Sequence, residues 1–303
     1  MSASADGLLN VLKPPGMTSH DVVRVVRRLT GGKVGHTGTL DPLAGGVLLL
    51  TLGVATRLSD YLTAEDKTYR AEFILGLETD TLDLEGATVH TCCADRIGPE
   101  SLRAHMADLT GDIEMLPPMF SAVKQDGKRL YELARKGKDV VRKPRHVRVL
   151  RFDLLRFQAG PQATALCEIE CSKGTYIRYL AQMLGQQLGC GGCLGFLLRI
   201  AQGVHQIRDS VTLEELIQSV EDGSLQELIV PLVEAVPDLP NVSVDGQQTA
   251  ALRNGNAVPC AVALQPGTKV LVLHETGPVC LAQVSPSAGA PLLQPRKVFP
   301  ARE

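Results

Sequence analysis

An aspartate followed by a proline, Asp41-Pro42, ends a loop that is rich in glycine and threonine, residues 35–41. Proline biases the residue before it toward an extended backbone, and the apolar run at 47–52 has the pattern of a strand buried on both faces. A loop that leads into such a strand holds Asp41 in a fixed position and presents one carboxylate for chemistry. Spacing alone leaves a plain turn open, because Asp and Pro are also common turn formers.

Two other patterns are compatible with chemistry, and both are incomplete. The glycines before Asp41 suggest a phosphate-binding loop, but no Gly-Lys-Ser/Thr follows them and residues 31–35 do not match the dinucleotide fingerprint. Cys190-Gly191-Gly192-Cys193 has the spacing of a metal or redox pair, but no second Cys or His pair stands at a zinc-finger distance. A glycine-rich turn with small buried thiols is the simpler interpretation, and we expect the eight cysteines to be reduced.

The elements that position Asp41 follow from hydrophobic periodicity. Residues 8–12 predict a short buried strand, which ends where two prolines remove backbone donors. Thr18 or Ser19 can cap a helix that ends at Gly31-Gly32. The same reasoning predicts helices at 55–62, 101–109, 176–188 and 212–220, and strands at 69–75, 147–157, 164–171, 269–273 and 278–284. Their order indicates neither a repeat protein nor a parallel βαβ series.

Charge is distributed unevenly along the 303 residues, although the net charge is only −2. Residues 120–160 contain twelve lysines and arginines and four acids, which favours a phosphate-binding face. Residues 209–240 contain eight acids and no lysine or arginine, so we expect them to face away from a polyanion. The two prolines of the segment 236–240 mark a candidate domain boundary, and the residues after it have the pattern of a small β module.

The sequence shows no signal for a membrane or for secretion. No apolar run reaches the roughly 18 residues that a membrane helix needs, and residues 1–7 lack the basic and hydrophobic regions of a signal peptide. We therefore expect a cytoplasmic protein.

The Asp41 loop resembles the catalytic motif of a known family. Gly35-His36-Thr37-Gly38-Thr39-Leu40-Asp41-Pro42-Leu43-Ala44-Gly45-Gly46 is similar to that motif in the TruB family, the bacterial synthases that make pseudouridine in the T-loop of tRNA. Further motifs match in the expected order at residues 13–19, 67–70 with 77–81, 118–124 and 171–178. With these five motifs, the resemblance covers residues 8 to about 205.

The resemblance implies a catalytic group of three residues. Asp41 matches the aspartate that attacks the ribose C1′ or the uracil ring, so that the base detaches, rotates and rejoins through C5. This chemistry calls for an ionised nucleophile and no free water at the anomeric carbon. Arg178 would hold Asp41 ionised through a charge-assisted pair. Tyr69 would stack on the target base and assist in removing a proton.

Other matched positions would bind the uridine. Tyr176 and Leu197 would line its pocket, and His36 would fill the stack that the flipped nucleotide leaves. The simpler alternatives are core packing for the tyrosines and Leu197, a loop donor for His36 and a helix-surface charge for Arg178. Where the family often has paired arginines after the pocket leucine, this chain has Leu197-Leu198-Arg199, so one phosphate contact is expected to be missing.

The resemblance also implies an α+β fold of the pseudouridine-synthase type, with a mixed, largely antiparallel central sheet flanked by helices, in residues 1–235. A small C-terminal β-barrel, a PUA-like RNA-binding module, is expected in residues 240–303. The basic segment at 116–146 resembles an insertion that contacts the T-arm of tRNA. Its expected RNA contacts are Lys124, Lys128, Arg129, Arg142 and Lys143.

We expect a monomer that isomerises one uridine of the tRNA T-loop without a metal, an organic cofactor or a guide RNA. Two alternatives stay open at this point. One is a non-catalytic RNA binder or tRNA-folding factor on the same scaffold, which the intact set of Asp41, Tyr69 and Arg178 disfavours as the sole role. The other is an RNA-guided relative within a ribonucleoprotein, which the short N-terminus and the simple tail disfavour.

Overall fold

The computed structural model describes residues 6–120, 124–125, 128–130, 140–287 and 289–300, and gives only the backbone of residues 124, 125, 128 and 129. Its α-helices are α1 (Ser19–Thr30), α2 (Ser59–Ala64), α3 (Pro99–Asp108), α4 (Ile177–Gln187), α5 (Leu213–Glu221) and α6 (Gly246–Arg253). In the first two thirds of the chain the strands are β1 (Gly7–Lys13), β2 (Val34–His36), β3 (Gly45–Leu52), β4 (Lys67–Leu75), β5 (Leu77–Thr79), β6 (Thr88–Thr91), β7 (Gly111–Met115), β8 (Lys124–Gln125), β9 (Lys128–Arg129), β10 (Arg145–Gln158), β11 (Ala163–Cys171), β12 (Gly192–Gln202) and β13 (His205–Gln206). The last five strands are β14 (Asn241–Ser243), β15 (Val258–Pro259), β16 (Lys269–His274), β17 (Gly277–Ser285) and β18 (Leu292–Val298).

The central sheet has nine strands in the order β1-β3-β12-β4-β11-β10-β7, with β2 beside β3 and β13 beside β12. Among the described strands of this sheet, only the β3–β12 pair is parallel, and the other pairs are antiparallel. The expected mixed, largely antiparallel sheet is therefore confirmed. Helix α1 begins and ends where the sequence predicts: Thr18 forms a capping box with Asp21, and Gly31 closes the helix in the left-handed region at φ 68°.

The two faces of the central sheet carry different layers. Gly46 pairs with Arg199, and Arg199 pairs with Tyr69, so these three residues share one face. Helices α1, α3 and α4 pack on this face, against the hydrophobic side chains in register with that row. The opposite face carries the turn 53–58, α2 and residues 232–239. The site described below is on the first face.

The C-terminal residues form a five-stranded sheet in the order β14-β16-β17-β18-β15, a curled half-barrel as expected for a PUA-like module. It packs onto the second face of the central sheet through Leu271 and Phe299. The proposed boundary contributes to the same contact, because Val236 and Leu239 are buried. Lys297 also forms an ion pair with Asp60 of α2 at 3.0 Å. The boundary segment is therefore packed rather than exposed.

Three parts of the structure differ from the sequence prediction. Residues 55–62 were expected to form one helix, but a 3-10 turn at Gly53–Leu58 precedes the short α2. The eleven-residue strand β12 was not predicted, because glycines at its start resemble a turn. Helix α6 in the C-terminal module was also missed. No helix among the described residues is both long and apolar enough to cross a membrane.

Candidate active site

The loop that carries Asp41 is held from β1 and α1 on one side. The buried ammonium of Lys13 donates to the main-chain oxygens of Ala44 at 2.6 Å and Pro42 at 3.4 Å. The hydroxyl of Ser19 accepts from the amide of Leu40 at 2.8 Å and donates to the oxygen of Leu40 at 3.0 Å. Burial lowers the pKa of Lys13 to about 8, and the charge of Asp41 acts in the opposite direction.

The same loop is held from β12 on its other side. The guanidinium of Arg199, only 1% exposed, donates to the oxygens of Gly38 at 3.0 Å and Val47 at 2.6 Å. The amide nitrogen of Gln202 donates to the hydroxyl of Thr37 at 2.9 Å. Backbone groups in the loop are thus paired with side chains from three elements, which fixes its conformation. Arg199, two residues after the pocket leucine, is therefore an interior support of the loop. The missing phosphate contact at the preceding position, Leu198, stays a prediction.

Asp41 faces a buried arginine. Its Oδ2 atom lies 3.0 Å from Nη2 of Arg178, whose side chain is 5% exposed, whereas the side chain of Asp41 is 36% exposed. Nη1 of Arg178 lies 3.2 Å from Oδ2 of Asp83, a second acid that is 4% exposed. The main-chain oxygens of Thr81 and Phe120 accept the remaining donations at 3.0 and 2.8 Å. Arg178 is therefore not the helix-surface charge that was the simpler alternative.

The two carboxylates beside Arg178 have different surroundings. Asp83 is fixed by donations from the Thr81 hydroxyl at 2.5 Å and the amide of Glu85 at 3.1 Å. Asp41 is left with an accessible surface. Burial raises the pKa of Asp41 above 3.8, the Arg178 charge lowers it, and the Asp83 charge raises it further. Arg178 thus favours the ionised carboxylate but does not outweigh burial.

Tyr69 and Leu197 line the sheet floor beside this pair. Tyr69 is 7% exposed and Leu197 6%, and both belong to a core cluster that includes Leu40 and Ala44 of the Asp41 loop. Burial raises the pKa of Tyr69, and the neighbouring Arg199 guanidinium acts in the opposite direction. The phenol is therefore protonated at neutral pH, and only a thin edge of this surface is open to solvent.

His36 and Tyr176 lie at two borders of the site. His36 ends β2 and is half-buried; burial lowers its pKa, and the charges of Arg199 and His20 lower it further, so its ring is neutral. Tyr176 precedes α4 with an extended backbone, is half-buried, and packs against the same core cluster. Its amide lies 3.1 Å from the sulfur of Met115. The structure therefore brings Asp41, Tyr69, Arg178, His36, Tyr176 and Leu197 around one face of the sheet.

Comparison with known proteins agrees with this geometry. The model of the TruB family pseudouridylate synthases (N-terminal domain) matches residues 26–177. The tRNA pseudouridine synthase B of Moorella thermoacetica is 45% identical over 304 residues, which cover 97% of this chain and 99% of that protein. The chain belongs to the TruB family. The synthase of the same name from Geobacillus thermodenitrificans is 42% identical, over 97% of this chain and 99% of that protein.

Solved structures with the TruB-like fold include subunits of ribonucleoproteins. A chain in the crystal structure of a Cbf5-Nop10-Gar1 complex has a TM-score of 0.75 and 27% identity, covering 98% of this chain and 86% of that one. A chain in an H/ACA RNP bound to a substrate RNA has a TM-score of 0.73 and 25% identity, covering 97% and 85%. The expected pseudouridine-synthase fold is confirmed.

The basic insertion of this TruB-family chain is described in part. The side chains of Lys124, Lys128 and Arg129 lie outside the described residues. Arg142 is half-buried and donates to the oxygen of Pro117 at 3.2 Å, and Lys143 is exposed. The insertion joins β7 to β10 at one end of the central sheet, and it begins beside Phe120, whose oxygen accepts from Arg178.

Several buried polar residues that support the site were not singled out from the sequence. They are Lys13, Lys67, Asp83, Arg199 and Gln202. Lys13, Arg199 and Gln202 lie in or next to an apolar run, which is a signal that could have identified them, whereas the sequence around Lys67 and Asp83 gives no such signal. Cys190 and Cys193 are buried free thiols. Within the described ranges, no three His, Cys, Asp or Glu side chains are grouped to hold a metal ion.

Proposed function

We propose that this enzyme, an isomerase that converts uridine in tRNA to pseudouridine, acts on a uridine of the T-loop, with Asp41 as nucleophile and the target nucleotide flipped out. The observation that carries the proposal is the 3.0 Å pair of a partly exposed Asp41 with a buried Arg178. A carboxylate that must attack carbon needs its charge, and a buried guanidinium stabilises that charge without covering it.

The reaction conserves all atoms of the nucleoside. The bond between N1 of uracil and C1′ breaks, a bond between C5 and C1′ forms, C5 loses its proton and N1 gains one. Asp41 would hold the sugar or the base during the exchange, attacking either the ribose C1′ or the uracil ring. The apolar floor of Tyr69 and Leu197 would keep water from the anomeric carbon.

The surrounding groups would position the uridine. The ring of Tyr69 would stack on the target base. Because burial raises the pKa of Tyr69, its hydroxyl is protonated at neutral pH. It would have to lose its own proton before it could accept one from the reacting base. The neutral, half-buried ring of His36 would occupy the vacated stack, and Tyr176 would close the pocket beside α4.

The RNA would be held by the basic insertion, including Arg142 and Lys143, and by the PUA-like module. We propose two domains, residues 1–235 and 240–303, in a protein that acts as a monomer without a guide RNA. The relatives that resemble this chain over nearly its full length and theirs are named for tRNA, which supports this assignment over an RNA-guided one.

The test is pseudouridine mapping of an unmodified tRNA transcript incubated with the purified protein alone. The parent is expected to convert one T-loop uridine, and Asp41→Asn to lose conversion while still binding the transcript. Asp108→Asn, which removes an exposed carboxylate at the end of α3, is the matched control and should behave as the parent. Conversion by Asp41→Asn at a rate near the parent's would exclude Asp41 as nucleophile.

The second candidate, an RNA-guided enzyme, is raised by the fold shared with the chain of the Cbf5-Nop10-Gar1 complex. It predicts that the protein alone leaves the transcript unmodified and that activity requires additional RNA or protein. The same mapping experiment therefore separates the two candidates, because the proposed function requires activity from the protein alone.

A further inference from the structure

A row of basic side chains lies along one side of α1. His20, Arg24, Arg27 and Arg28 follow the spacing i, i+4, i+7 and i+8, which places them on one helical face. All four are exposed. Lys33, also exposed, follows after the helix ends at Gly31. We call these five residues the α1 stripe.

The α1 stripe has free positive charge. Asp21 is the only acid from residue 18 to residue 36. Its carboxylate is already occupied, because it caps α1 at Thr18 and pairs with Arg24. Across the described residues, Arg27, Arg28 and Lys33 form no ion pair with a carboxylate. Three cations on one surface without counter-charges suit a polyanion.

The α1 stripe borders the candidate active site. Nη2 of Arg27 donates to the oxygen of Val34 in β2 at 3.2 Å. His20 lies close enough to His36, two residues further along β2, for its charge to act on that ring. Helix α1 packs on the same face of the central sheet as Tyr69 and Arg199. The stripe therefore continues the surface on which Asp41 is exposed.

The stripe and the basic insertion lie on opposite sides of the site. The insertion joins β7 to β10, and β7 is the strand at one end of the sheet. Helix α1, which carries most of the stripe, packs over β2 and β3, next to β1 at the other end. Strands β12 and β4, which carry Arg199 and Tyr69, lie between them. A duplex stem with its loop at Asp41 has phosphates on both of its sides, and two basic surfaces can contact both.

We propose that the α1 stripe is a second phosphate-binding surface for the substrate RNA, which contacts the sugar-phosphate backbone on the side of the site away from the basic insertion. The contact is to phosphate and not to base edges, because the residues are long, exposed cations without a pocket. It would position the RNA and contribute affinity without taking part in the chemical step. The inference rests on the proposed function, since it takes the T-loop of tRNA, with its stem, as the part of the substrate that lies at Asp41.

The test measures binding of an unmodified tRNA transcript by fluorescence anisotropy at several salt concentrations, together with single-turnover conversion at saturating enzyme. Arg28→Gln is expected to raise Kd severalfold, and Arg28→Gln/Lys33→Gln about tenfold, with the slope of log Kd against log salt reduced by about 1 per lost contact. The single-turnover rate should stay at the parent value. Arg28→Lys should restore most of the binding, because a phosphate contact requires charge rather than the shape of a guanidinium.

Arg208→Gln is the control matched in charge. Arg208 is 82% exposed beside Asp209, at the start of the acidic stretch, and its removal should leave Kd and the salt slope unchanged. The inference is overturned if Arg28→Gln binds like Arg208→Gln, or if the double variant keeps the parent's salt slope. That result leaves the proposed function intact as long as the parent converts the transcript. A parent that does not convert the transcript would instead contradict the proposed function.

Discussion

The guanidinium of Arg199 donates to the main-chain oxygen of Gly38 at 3.0 Å, three residues before Asp41, and to that of Val47 at 2.6 Å, six residues after it. One buried cation on β12 therefore ties both ends of the loop that presents the carboxylate. The backbone of Arg199 is fixed as well, because this residue pairs with Gly46 across the parallel β3–β12 contact. The loop geometry depends on β12 as directly as on its own sequence.

Arg199→Met is expected to destabilise the protein and slow the reaction. Two buried carbonyls would lose charged donors, which costs about 2 to 4 kcal/mol of unfolding free energy. Because Arg199 is 1% exposed, the RNA-binding surface is unchanged. The single-turnover rate should therefore fall strongly while the Kd for tRNA changes little, measured below the unfolding transition of the variant. Arg199→Lys, which can keep one of the two donations, should recover part of the rate.

A purely stabilising role for Arg199 would give a different pattern. In that case, the folded fraction of Arg199→Met would convert tRNA at the parent rate. Urea unfolding measures the stability of the variant, and active-site titration measures its folded fraction. Both are measured on one preparation, so a loss of folded protein is distinguished from a slower reaction.

The sequence predicted the elements whose patterning is local. Helix α1 has a cap, an apolar stripe and a glycine at its end, and its bounds agree with the structure. Strands such as β3 and β11 were found because their patterning is that of a buried or alternating strand. Strand β12 was missed, although it lies in the middle of the sheet, because its pairing with β3 and β4 is set by residues more than a hundred positions away.

The site was predicted to a similar extent. The motif resemblance named Asp41 and Arg178, and the structure brings them to 3.0 Å. It did not name Asp83, which stands just after a matched motif and reaches Arg178 only in the folded chain. The sequence also does not show that the pKa of Asp41 is raised. Burial raises this pKa and the Arg178 charge lowers it, and which effect is larger depends on the packing of the folded site.

The pH dependence of catalysis should move in opposite directions when the two neighbours of Asp41 are changed. Burial has the largest effect and raises the pKa of Asp41; the Arg178 charge opposes burial and lowers this pKa, whereas the Asp83 charge adds to burial and raises it. Asp41 must be ionised to attack, so the acid limb of the rate profile follows its pKa. Arg178→Met should shift that limb to higher pH, and Asp83→Asn should shift it to lower pH.

Single-turnover rates measured over a series of pH values give this limb directly. Both variants are also expected to be slower at every pH, because each removes a partner from a buried network. A loss of rate alone does not decide the question, but the sign of the shift does. Shifts of the same sign in both variants would contradict the electrostatic roles assigned here.

Asp41→Asn should be more stable than the parent at neutral pH. Folding raises the pKa of Asp41 above its ordinary value of 3.8, so the folded state favours the protonated form. The contribution of protonated Asp41 to the free energy of unfolding is fully present below pH 3.8, and it is lost as the pH rises through the pKa of Asp41 in the folded state. The parent therefore unfolds at a lower temperature than the variant at neutral pH, and the difference should shrink as pH falls. Thermal unfolding of both proteins over a series of pH values from neutral pH downward measures it.

Ionisation of Glu65 should lower the free energy of unfolding as the pH rises, and Glu65→Gln should remove this part of the pH dependence. Burial raises the pKa of Glu65 from 4.5 to about 7, with the Lys67 charge acting in the opposite direction. Its Oε2 atom is buried and has no hydrogen-bond partner within the described part of the chain. Because the folded pKa is the higher one, stability is highest below pH 4.5 and declines as pH rises to about 7.

The urea midpoint of the parent should therefore fall relative to that of Glu65→Gln between about pH 5.5 and pH 8, where the unfolded carboxyl is already ionised. Glu234→Gln, which changes an exposed glutamate, is the matched control and should follow the parent.

Equal pH dependence in Glu65→Gln and the parent would mean that Glu65 reaches solvent or a cation when it ionises. Lys67 is a cation whose charge lowers the pKa of Glu65, and its ammonium donates to the main-chain oxygens of Thr63 and Glu65. Adding Lys67→Met to the parent would then steepen the dependence, since the charge that lowers the pKa of Glu65 would be gone.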